Sequence, residues 1–123
     1  MNAPLFEEPK MQTLLPPLPE TVKLTLANCK QQLQQHYHGK LRALILYGSA
    51  AKQQLTPQSD LDLLVLLEPP LDYFQELRAI VELLYPLQLD ASHWISAKPA
   101  AIDEFEQGLT QLYRNIHQEG IVV

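Results

Sequence analysis

Between Glu20 and His38 the apolar residues Val22, Leu26, Cys29, Leu33 and Tyr37 return every three or four positions. That repeat predicts a helix burying one face, and Gly39 supplies its stop. The pattern then changes. Leu41 to Tyr47 is short and almost wholly apolar, which fits a strand covered on both sides, and it breaks at Gly48-Ser49. Ala50 to Leu55 can form a short helix, and Thr56-Pro57-Gln58-Ser59 is turn chemistry. Asp60 to Leu67 predicts a second buried strand.

Leu71 to Tyr85 returns to a helical stripe of Phe74, Leu77, Ile80, Val81 and Leu84. Asp72 and Gln75 resemble a capping box at its start, and Pro86 marks its end. Alternation over Leu87–Ile95 predicts a third strand, with Asp90 on one face and His93 on the other. Pro99 opens a last helix with the stripe Ile102, Phe105, Leu109, Leu112 and Ile116, closed by Gly120. The expected order is α-β-α-β-α-β-α. It implies an α/β (α+β) class, a small mixed sheet flanked by helices.

Five of the ten prolines fall in residues 1–19, so that stretch cannot sustain a helix or a sheet ladder and reads as an extended arm. Residues 20–123 form the folded domain. No apolar run approaches the ~20 residues of a membrane span. The N-terminal residues also lack the basic start and apolar stretch of a signal peptide, so cytoplasmic residence is the expectation. Cys29 is the single cysteine, which rules out an internal disulfide and argues against a cysteine-based zinc site. The net charge of -5, with basic residues scattered, disfavours a nucleic-acid grip. An anionic substrate must then be held through metal ions or backbone amides.

Two features fit that constraint. Asp60 and Asp62 lie two apart in a strand, so their carboxylates project side by side and repel unless a cation or proton sits between them. Mg²⁺ with oxygen ligands and substrate phosphates suits such a pair. An antiparallel connection would bring Gly48-Ser49 opposite it. There Gly48 allows close backbone approach to a phosphate, and Ser49 offers a hydroxyl and an amide. A Gly-Ser pair alone is usually a turn, and an Asp-x-Asp alone is usually a solvated strand entrance. Their combination at these strand ends is far more specific. His36, His38, His93 and His117 have no spacing that suggests ligation.

Gly48-Ser49, ten intervening residues and Asp60-Leu61-Asp62-Leu63 together resemble the signature of the DNA polymerase β-like nucleotidyltransferase superfamily. The small size, the string Ser59 to Val65 and the terminal Glu119-Gly120-Ile121-Val122-Val123 are similar to its minimal, MNT-type branch. The resemblance implies a palm-like core and transfer of a nucleoside monophosphate from a triphosphate with Mg²⁺. It also implies a third carboxylate on a later strand, for which Asp90 is the expected residue. Asp60, Asp62 and Asp90 would then be both the metal ligands and the catalytic set, with Gly48 and Ser49 binding the nucleotide. Where family members often carry arginine and glycine after the serine, this chain has Ala51 and Lys52, so Lys52 is the expected replacement for the phosphate contact. The resemblance further implies a helical HEPN-type partner and an antitoxin that moves AMP from ATP to a hydroxyl, such as a tyrosine, on that partner. Two alternatives stand beside it: a non-catalytic antitoxin acting by occlusion, and the catalytic subunit of a two-component enzyme modifying a small molecule such as an aminoglycoside.

Overall fold

The computed structural model describes residues 11–123. Its elements run α1 (Glu20–Tyr37), β1 (Leu41–Tyr47), β2 (Leu61–Leu67), α2 (Tyr73–Asp90), β3 (Ile95–Ala101), α3 (Ile102–Glu106), α4 (Gln111–Glu119) and β4 (Ile121–Val122). The strands form one mixed sheet in the order β3-β2-β1-β4. β1 is antiparallel to both β2 and β4, while β3 runs parallel to β2 after the α2 crossover. This is the α+β architecture the hydropathy pattern implies.

One face of the sheet is closed. Leu44 and Leu46 of β1, Leu61, Leu63, Val65 and Leu67 of β2, and Ile95 and Ala97 of β3 pack under α1 and α2. The α1 stripe Val22, Leu26, Cys29 and Leu33 is buried there as its period requires. The opposite face is only partly covered. Ala43, Ile45, Leu64, Leu66, Ala100 and Val122 meet Ile102 and Phe105 of α3 and Ile116 of α4.

The second half of the chain departs from the hydropathy reading. Pro86 lies inside α2, which continues to Asp90, so Leu87–Asp90 is helix and not strand. An interior proline costs a helix about 3 kcal/mol. Here Leu83, Leu84 and Leu87 on either side of Pro86 all pack onto the closed-face core, and that packing carries the helix through. The Asp72 carboxylate does cap α2, accepting from the Gln75 amide at 3.1 Å. The third strand is Ile95–Ala101 and contains Pro99. An edge strand tolerates proline because one side of its backbone ladder is unpaired. The last helix is two, α3 and α4, parted at Gly108 (φ 63°), and Thr110 caps the second by accepting from the Tyr113 amide at 3.1 Å. Residues 49–53 form turns and 54–55 have no regular structure, so the expected short helix is absent, and Ile121–Val122 adds a fourth strand.

Of the proline-rich arm, residues 1–10 lie outside the described residues. The remainder packs on its own chain: Pro16 and Leu18 are buried, and the Val122 amide donates to the Gln12 carbonyl at 2.7 Å. Among the described residues no helix is long and apolar enough to cross a membrane.

Candidate active site

The antiparallel register sets Tyr47, the last residue of β1, directly opposite Asp62 of β2. Gly48 follows with φ 76°, a left-handed backbone that glycine adopts freely. Its missing side chain is required for a second reason: a Cβ there would overlap the Asp62 carboxylate, whose Cγ would lie 3.2 Å away. Ser49 then starts a tight turn in which its carbonyl accepts from the Gln54 amide at 2.8 Å. The fully buried Ala50 anchors the turn in the closed-face core. Turn and carboxylate are thus brought together at one end of the sheet.

Asp62 shares the open face with Leu64 and Leu66, and its carboxyl is held above the usual carboxylate range. Burial is the main cause and the Asp60 charge adds to it, while Lys98 acts in the opposite sense. Asp60, just before β2, is thus near enough for its charge to act on Asp62. Beside them the Tyr47 hydroxyl is pushed up to about 12 by burial first and by Asp62 next, so it stays protonated at neutral pH.

Lys52 points elsewhere. Its ammonium pairs with Glu119 at the end of α4, Nζ to Oε2 3.1 Å, on the flank of the turn away from β2. Asp90 does not take the strand position expected of it. It is the last residue of α2, exposed and outside the sheet. The reason is the persistence of α2 past Pro86, which turns Leu87–Asp90 from strand into helix. Among the described residues no three His, Cys, Asp or Glu side chains gather where a single metal ion could be held. Asp60 and Asp62 therefore stand as a pair.

The strand that does lie beside them offers other groups. In the β2–β3 register Ser96 is opposite Asp62 and Lys98 opposite Leu64. These two and Tyr47 are neighbours of Asp62 in the sheet that sequence reading missed. The alternation Ile95-Ser96-Ala97-Lys98 was the available signal, hidden because Pro99 reads as a helix start. His93 is a scaffold residue: its Nε2 lies 3.1 Å from the Thr56 carbonyl, tying the loop before β3 to the loop before Asp60. Gln88 holds the same loop, donating to the His93 carbonyl at 3.1 Å and accepting from the Ile95 amide at 2.7 Å.

A glycine turn abutting an aspartate pair, at the proper ends of two antiparallel strands, agrees with a family comparison. The family described as "Polymerase beta, Nucleotidyltransferase" matches residues 27–123. The chain belongs to this nucleotidyltransferase family. Within it, a protein of Methanocaldococcus jannaschii described as a "putative protein adenylyltransferase" is 28% identical over 92 residues, covering 74% of this chain and 86% of that protein. A solved structure described as a "putative nucleotidyltransferase" of Sulfolobus solfataricus superposes with a TM-score of 0.48 at 11% identity, covering 86% of this chain and 87% of that one.

A nucleotidyltransferase must hold a nucleoside triphosphate while a nucleophile attacks phosphorus. The donor set fits a divalent cation of the magnesium type. Two neighbouring carboxylates whose charges repel match what such an ion takes from protein.

Proposed function

We propose that the chain is a Mg²⁺-dependent adenylyltransferase that moves AMP from ATP to a hydroxyl on a helical HEPN-type protein, and acts as that protein's antitoxin. The Asp60–Asp62 pair beside the Gly48-Ser49 turn carries the reading. The relative described as a protein adenylyltransferase supports both the adenylyl group and a protein acceptor.

Asp60 and Asp62 would hold the magnesium, which would neutralise phosphate charge and orient the triphosphate. The Gly48 backbone abuts the Asp62 carboxylate, so a triphosphate held through that carboxylate would lie beside the turn. An acceptor oxygen attacks the α-phosphorus, the bond to the β-phosphate oxygen breaks, and pyrophosphate leaves in line. The hydroxyl proton passes to water. The half-buried Asp62, whose carboxyl burial and the Asp60 charge both push upward, is the residue that a bound cation would relieve most.

The test is transfer to a HEPN-type partner. Substoichiometric chain with Mg²⁺ and ATP should inactivate an excess of the partner, raise its intact mass by AMP units, and leave it inactive after separation. Inhibition that needs about one molecule per partner, ignores ATP and reverses on separation would mean occlusion instead.

A further inference from the structure

We infer that Lys98 is the cation that grips the nucleotide's phosphates beside Asp62, the part that sequence reading assigns to Lys52. The inference rests on the Mg-ATP reading of the site and adds a residue to it.

Geometry places Lys98 first. β2 and β3 are parallel and in register, so paired residues share a face of the sheet. Leu64, the partner of Lys98, faces the α3 core, as does Ala100 two residues further along β3. Lys98 therefore rises from the same open face as Asp62, one row along. The residue is exposed, and β3 is the edge strand, so its four-carbon stem has room to swing toward the carboxylate end. Its charge already acts on Asp62, yet among the described residues no ion pair within 4 Å engages it.

Lys52 is in the opposite state. It is bound to Glu119, beyond β1 from the Asp pair, so reaching a phosphate there would mean giving up that partner. Chemistry favours the lysine on β3 as well. Two carboxylates and a triphosphate concentrate negative charge, and one divalent ion between them leaves most of the phosphate charge uncompensated. A lysine ammonium is a mobile point charge suited to phosphate oxygens. Lys98 supplies it from β3.

Calorimetric titration of ATP and of AMP, in Mg²⁺, into wild type, K98A, K98R and K52A tests this. K98A should weaken ATP binding by about tenfold or more, the loss expected for one charge-assisted contact. The loss should shrink for AMP, because fewer phosphates remain to be held, and K98R should restore most ATP affinity. K52A should lose less than K98A, and thermal melting should show all variants folded. Unchanged ATP affinity in K98A, an equal loss for ATP and AMP, or a larger loss in K52A would overturn the assignment while leaving the Asp pair in place. Wild type that binds ATP no better with Mg²⁺ than without would remove the nucleotide reading and this inference with it.

Discussion

Leu61, Leu63, Val65 and Leu67 point from β2 into the layer beneath α1 and α2, while Asp62, Leu64 and Leu66 point the other way. On the first side every β2 residue is sealed. On the second, α3 and α4 cover Leu64 and Leu66 and leave Asp62 half-buried. One strand thus serves two purposes, alternating residue by residue. The closed face supplies the stability that lets the open face hold like charges together. On β2, charge sits where α3 and α4 leave the sheet uncovered.

This contrast can be broken in order of expected effect. Leu63→Ala on the closed face should destabilise the fold by about 2–5 kcal/mol, the range for a buried leucine that leaves a cavity, read from chemical denaturation. A loss well under 1 kcal/mol would mean that the closed face is not the source of rigidity. Gly48→Ala lies between the two faces. Its left-handed φ and the overlap with Asp62 predict a loss of about 1–3 kcal/mol, with nucleotide affinity falling too because the carboxylate must move. Wild-type affinity in that variant would show the turn to be incidental to the site.

Asp62→Asn should change stability least, by under about 0.5 kcal/mol at neutral pH. The sign follows from linkage. A carboxyl whose pKa is raised on folding costs stability while ionised, and the cost vanishes on acidification as it protonates. The amide removes that cost, so any change at pH 7 should be toward greater stability. A clear loss in unfolding experiments would instead make Asp62 a structural residue.

The first half of the molecule was legible in the sequence because period, length and punctuation agreed there. The α1 stripe, the apolar β1 run and the Gly48-Ser49 break each have one physical reading, and antiparallel pairing brings Asp62 to the turn. From Pro86 onward local rules and tertiary packing conflict. Pro86 would end an isolated helix, yet its leucine neighbours hold α2 together as far as Asp90. Pro99 would open a helix, yet an edge strand accommodates it. Those two prolines displaced the expected third strand, and with it Asp90. They also concealed Ser96 and Lys98, whose place beside Asp62 depends on a pairing between residues more than thirty positions apart. Lys52 was legible as a cation near the turn, but its pairing with Glu119 depends on β4, which lies too far along the chain for local pattern to reveal.

The central claim is that Asp60 and Asp62 hold a magnesium nucleotide on the open face. The most direct measurement is ATP affinity with and without Mg²⁺ for wild type, Asp60→Asn and Asp62→Asn, with melting curves on the same samples. Wild type should bind ATP much more tightly when Mg²⁺ is present. Both variants should melt like wild type and lose the metal-dependent part, since the change removes charge and keeps volume. Folded variants that retain the full magnesium dependence of wild type would contradict the account.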